Sequence, residues 1–116
     1  MERAIPNLPV DDLGVAKSFY VDKLGFGIRY EVTEDGKSGL LGLERGGFVL
    51  HLDSPMGGHG RNVVATLEVG DTDALYDQWS GQVEIGGPPR NEVWGSRTFG
   101  VSDPFGNLLY VVGPVR

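Results

Sequence analysis

Val63-Val64-Ala65-Thr66-Leu67-Glu68-Val69-Gly70-Asp71-Thr72-Asp73-Ala74-Leu75-Tyr76-Asp77-Gln78-Trp79-Ser80 is the stretch that decides the fold. Residues 63–69 read as a strand. Residues 72–80 read as a helix, with Asp71 before it, Leu75 and Trp79 four apart on one side, and Gly81 after it. The same order stands earlier in the chain. An apolar segment at 4–10 leads into a helix-like stretch at 12–24, where Asp11 or Asp12 can cap the first amides. Leu13, Ala16, Tyr20 and Leu24 recur there at three- and four-residue spacing with Phe19 alongside, and Gly25 supplies a left-handed stop.

Three strand-like runs follow each helix. In the first half they are 26–32, 39–43 and 48–52, separated by the turns Glu34-Asp35-Gly36-Lys37 and Arg45-Gly46-Gly47. Phe26, Ile28, Tyr30 and Val32 alternate with polar residues, the period of a strand with one buried face. In the second half the runs are 82–85, 97–102 and 108–112. Each half is therefore a β-α-β-β-β module. The expected class is α+β: two βαβββ modules forming cupped mixed sheets around a ligand cavity, in one domain spanning 1–116. Module 1 covers about 1–54 and module 2 about 62–116. Residues 54–62, with Pro55 and Gly57-Gly58-His59-Gly60, lack periodicity and read as the connector.

Composition narrows the function. A chain of 116 residues has little surplus beyond one core, so a site is expected between the modules. Ten basic against sixteen acidic residues give a net charge of −6, which disfavours nucleic acid and suits cationic or neutral ligands. There is no cysteine, hence no disulfide, thiol nucleophile or cysteine metal cluster. No apolar run reaches signal-peptide or membrane-spanning length, so the expected location is the cytoplasm, without membrane partners. The glycine-rich Gly57-Gly58-His59-Gly60 lacks the spacing and context of a dinucleotide or phosphate loop, and no G-x-S-x-G nucleophile elbow occurs.

The residues able to do chemistry are few. His51 alternates with Leu50 and Leu52, which turns it toward cavity or solvent, while His59 lies in the glycine loop and is expected to be solvated. Most carboxylates, among them Asp11, Asp12, Asp35, Asp71, Asp73 and Asp103, sit where capping or turns explain them. Glu68, inside a strand, is either an outward residue or a carboxylate in the cavity. Tyr30, Phe48, Trp94, Phe99 and Tyr110 come from strands of both modules or their flanks. Planar faces there suit a flat or cationic guest, although core packing explains most of them equally well. Trp94, in the polar Asn91-Glu92-Val93-Trp94-Gly95-Ser96, is the exception.

Phe19-Tyr20-Val21-Asp22-Lys23-Leu24-Gly25-Phe26 resembles the first helix-to-strand junction of the glyoxalase, bleomycin resistance and extradiol dioxygenase superfamily, the vicinal oxygen chelate proteins. Asp103-Pro104-Phe105-Gly106-Asn107 resembles its closing D-P-x-G-N turn. Within it, Leu75-Tyr76-Asp77-Gln78-Trp79-Ser80 and Trp94-Gly95-Ser96-Arg97-Thr98-Phe99 resemble the second helix and the W-G-R-x-F segment of bleomycin resistance proteins. The resemblance implies a homodimer, arm- or domain-swapped, with Pro6 and Pro9 stiffening the arm and a groove at the subunit interface. It implies antibiotic-type binding and sequestration of a cationic or aromatic guest without catalysis or cofactor, by Tyr30, Phe48, His51, Glu68, Trp94 and Tyr110.

In the metal-dependent branch, four positions hold a divalent ion, and they fall here on Ile5, His51, Val64 and Tyr110. Only His51 is a good ligand, so no metal is expected. Two cavity aromatics of bleomycin resistance proteins fall on Thr66 and Glu68, which points to a different guest from bleomycin itself or to one stacking surface fewer. The alternatives are a divalent-metal lyase, isomerase or dioxygenase using His51 and Glu68 at a relocated site, and an accessory structural dimer without a small ligand.

Overall fold

A computed structural model of the chain describes residues 2–54 and 61–116, and the doubled plan takes shape there as two four-stranded sheets. The first holds β1 (Asn7–Pro9), β2 (Gly27–Val32), β3 (Gly39–Arg45) and β4 (Phe48–Ser54) in the order β1-β4-β3-β2. The second holds β5 (Val64–Glu68), β6 (Arg90–Asn91), β7 (Ser96–Ser102) and β8 (Leu108–Pro114) in the order β5-β8-β7-β6. In each sheet the leading strand runs parallel to the last, and the other pairs are antiparallel.

A helix bridges the first and second strands of each module. Helix α1 (Leu13–Lys17) starts where the Asp12 carboxylate accepts from the Gly14 and Val15 amides, and it continues as a π-helical segment, Ser18–Lys23. Gly25, at φ 80°, ends it as expected. Helix α2 (Thr72–Trp79) is capped by Asp71 on the Ala74 amide. Asp73, in its first turn, takes a two-pronged bond from Arg97 of β7 (2.7 and 3.0 Å) and a third contact from Arg116 at 3.0 Å. These partners, Arg97 first, hold its carboxyl down at about 2.

Alternation decides which face of each sheet meets the helices. Leu41, Leu43, Leu50 and Leu52 of the first sheet and Leu67, Phe99, Val101, Leu109 and Val111 of the second are buried with Leu13, Ala16, Leu75 and Trp79. The modules meet on this helix side: the Trp79 indole Nε1 donates to the Leu24 carbonyl (3.0 Å), and the Arg45 guanidinium lies 5.5 Å from the Trp79 ring centre.

The turn 103–107 ties the parts together. Asp103 Oδ1 accepts from the Phe105 and Asn107 amides, and its Oδ2 accepts from the Tyr20 hydroxyl (2.7 Å) and Asn107 Nδ2 (2.9 Å). Asn107 also donates to the Pro9 carbonyl (2.8 Å) and accepts from the Val63 amide (3.1 Å). Burial, and then the adjacent Asp103 charge, push the Tyr20 phenol far above its ordinary range, so it stays a donor.

Two sequence expectations need correction. Residues 82–85 form turns with one isolated bridge, Ile85 to Val101; the outer strand of the second sheet is Arg90–Asn91 instead. The run 26–32 has no single buried face. A bulge shifts the register between Ile28, opposite Leu43, and Tyr30, opposite Gly42, and every residue of the edge strand β2 is exposed. The connector, with His59, lies mostly outside the described residues.

Two outcomes follow from these bonds. Asn107→Ala strands the buried Pro9 carbonyl and the Val63 amide and should lower stability by about 3–5 kcal/mol in urea unfolding, against about 1.5–3 kcal/mol for Tyr20→Phe. The Asp73 pKa of about 2 lies below the value of an unfolded aspartate, so its contribution to stability is present at neutral pH and is lost as pH falls toward 2. Unfolding midpoints across that range should fall less steeply in Asp73→Asn.

Candidate functional site

The face of each sheet turned away from the helices carries the polar and aromatic residues. On the first sheet the register lines up Asn7, His51, Gly42 and Tyr30. The Tyr30 hydroxyl reaches across β3 to hydrogen-bond His51 Nε2, and His51 Nδ1 meets Asn7 Oδ1 at 3.1 Å. An amide oxygen only accepts, so Nδ1–H donates to Asn7 while the phenol meets Nε2. The crossing depends on Gly42: a Cβ there would stand 2.6 Å from the Tyr30 ring. Both His51 nitrogens are thus engaged within the sheet.

On the second sheet the matching row is Thr66, Tyr110 and Gly100, flanked by Glu68, Val112 and Thr98 on one side and Val64, Leu108 and Ser102 on the other. At the β7–β8 end of this row opens a groove of about 1410 Å³, whose lining also takes in Phe19, Lys23 and Phe99 from the helix side. Thr98, Gly100, Leu108 and Tyr110 lie along its sheet side, while residues 80–88 and Trp94 belong to its other walls. Trp94 sits in the β6–β7 turn, where the Glu92 amide donates to Ser96 (2.7 Å), the Gly95 amide donates to Glu92 (3.1 Å), and Gly95 takes φ 95°. Its side chain is 64% exposed. Glu92 accepts at Oε1 from Arg90 Nε (2.8 Å) and Thr98 Oγ1 (3.0 Å), and these bonds, Arg90 first, lower its pKa.

Of the six residues expected to contact the ligand, Trp94 and Tyr110 share this groove, and Tyr30 and His51 share the open face of the other sheet. Glu68 is exposed on β5, on Tyr110's face but outside the groove lining. Phe48 is corrected: it has the parity of Leu50 and Leu52 and packs against the core rather than beside His51. Pro9 is buried in β1, paired with this chain's own β4, while Pro6 is exposed just before it. Arg90 and Glu92 were missed. The signal was there, since residues two apart on an extended segment share a face, and Gly86-Gly87-Pro88-Pro89 immediately before them marks a break.

A divalent ion does not fit the four family positions. Ile5 and Val64 present hydrocarbon, Tyr110 is a phenol, and His51 is already engaged on both sides. Among the described residues, no three His, Cys, Asp or Glu side chains come together. Nor is any described helix long and apolar enough to cross a membrane.

The family model of the Glyoxalase/Bleomycin resistance protein/Dioxygenase superfamily matches residues 4–111, and the chain belongs to that superfamily. Among solved structures it resembles the bleomycin resistance determinant encoded on transposon Tn5 (26% identity, 98% of each chain, TM-score 0.82). A bleomycin-binding protein from Streptomyces verticillus, solved with copper(II)-bleomycin, is 28% identical over 97% of this chain and 96% of its own, with TM-score 0.79. TnmS3, an antibiotic binding protein from Streptomyces sp. CB03234, is 26% identical over 98% and 97%, with TM-score 0.78. No curated protein sequence matches the chain.

Gly42→Ala should push the Tyr30 ring off His51 and cost about 1–3 kcal/mol. The nuclear Overhauser contact between the two rings should vanish; its survival at unchanged stability would contradict the packing described.

Proposed function

We propose that the chain binds a flat, antibiotic-type small molecule and sequesters it unchanged, as a homodimer acting in the cytoplasm. The observation that carries this reading is the groove of the second sheet, where a largely exposed indole shares the lining with the Tyr110 ring. An exposed tryptophan held in a turn is a stacking surface available at little ordering cost. The chemical inventory supports binding over conversion. The described imidazole is engaged on both nitrogens, the buried carboxylate Asp103 is taken up by four hydrogen bonds, and the four family metal positions offer one good ligand. The antibiotic-binding neighbours at 26% and 28% identity support the same guest class.

Dimerisation is supported by what the sheets leave bare. Val32 and Val64, at 63% and 58% exposure, stand on the helix-free faces with Tyr30 nearby. Isolated sheets seldom leave such faces uncovered, and a two-fold pairing would cover both at once.

The test is a fluorescence titration with bleomycin and a panel of planar antibiotics. Trp79 is buried and serves as a constant background. Saturable quenching is expected in the wild type and not in Trp94→Phe, and isothermal titration calorimetry, which needs no indole reporter, should show Trp94→Ala weakening binding about tenfold or more, the equivalent of about 1–3 kcal/mol for a lost stacking partner. Mass spectrometry should recover the ligand unaltered. Turnover of the ligand, or stoichiometric metal in the purified protein, would replace sequestration with catalysis.

A further inference from the structure

We infer that the guest carries an acidic group: a planar aromatic anion with its plane against Trp94 and its charge against Arg90. This deepens the binding reading of the groove and rests on it. The sequence, at net charge −6, had suggested a cationic guest. Inside the groove what matters is which charged groups keep unused hydrogen-bonding capacity. Its charged lining residues are Lys23 and Arg90 against Glu84, Glu92 and Asp103.

Two of the three carboxylates are already occupied. Asp103 is buried and accepts from Tyr20, the Phe105 and Asn107 amides, and the Asn107 side chain. The Glu92 side chain is 12% exposed and accepts from Arg90 and Thr98. With Asp103 enclosed by its own donors and Arg90 and Glu92 balancing as a pair, Lys23 against Glu84 leaves no excess of either sign, and what the groove offers a guest is the set of Arg90 N–H donors that Glu92 does not use.

Arg90 is the better anchor of the two cations. Its side chain is 79% exposed, and Glu92 engages it through Nε, one of the five N–H donors of a guanidinium. A carboxylate needs two of those donors for a paired contact. Pro89 is buried and has a fixed φ, so the backbone that presents Arg90 is held in place. Charges elsewhere on the chain have little influence at this point, because physiological salt screens exposed charges beyond about 8 Å.

The experiment uses the full chain at physiological ionic strength and three probes of one shape: 2-naphthoate, 2-naphthamide and 2-naphthylmethylammonium. Binding is read from NMR shifts of the Trp94 indole N–H and the Gly100 amide. The carboxylate should bind roughly fivefold more tightly than the ammonium, within the range of an exposed ion pair. Arg90→Gln should bring that ratio to about one without changing affinity for the amide, and Glu92→Gln, which releases the guanidinium, should raise it. A tighter ammonium, or a carboxylate preference that survives Arg90→Gln in folded protein, overturns the anionic guest and leaves the groove as a binding site. If none of the three probes shifts either signal, the groove reading fails and the anionic guest fails with it.

Discussion

The carboxylate of Asp103 is the point on which the architecture depends. It is buried, and a buried charge is tolerable only when its hydrogen-bonding capacity is filled. Two amides of its own turn, the Asn107 side chain and the Tyr20 phenol supply four bonds between 2.7 and 2.9 Å. Those donors come from different places, and each bond therefore fixes a relation. Tyr20 brings in the first helix, while Asn107 reaches the carbonyl of β1 through Pro9 and the amide leading into β5 through Val63. Both leading strands and one helix are registered against a single turn. Position 106 has to be glycine for this to close, since it takes φ 86° and a Cβ would stand 2.6 Å from Asn62 Oδ1. Asp103 and Pro104 also line the groove, so the same closure braces one of its walls.

Much of this was legible because local chemistry and global fold demand the same residues. Asp12 and Asp71 cap helices, Gly25 terminates one, and the 50/52 versus 49/51 alternation of β4 is an ordinary one-sided strand. The failures have physical causes. The alternation of 26–32 suggested one buried face, but β2 lies at the sheet edge and is exposed throughout, and the bulge that turns Tyr30 to the other face leaves no mark in composition. Residues 82–85 have the residue types of a strand, yet only Ile85 finds a pairing partner, and pairing is decided by distant chain. Phe48 shares the parity of Leu50 and Leu52, which sets its partly buried ring against the core whatever its aromatic type suggests. Arg90 and Glu92 escaped because an ion pair on an extended segment looks like any solvated charge pair until that segment pairs at the edge of a sheet beside the groove.

The duplication itself explains why the hollow lies on one sheet and not the other. Both modules place a glycine opposite a ring-bearing residue of the last strand: Gly42 opposite His51, and Gly100 opposite Tyr110. Each glycine leaves a bare patch in the middle of an open face. In the first module the full-length β2 lies beside that patch, and Tyr30 swings across it to His51. In the second module the corresponding strand is reduced to Arg90–Asn91, and a Cβ built on Gly100 would meet nothing closer than the tip of Leu108 at 3.2 Å. No aromatic side chain crosses there. The space that one module fills with its own phenol is open in the other, and residues 80–88 with Arg90, Glu92 and Trp94 line it. Loss of an outer strand is usually a liability because it exposes sheet edge. Here the short strand leaves open space beside the sheet, and its Arg90 lines that space.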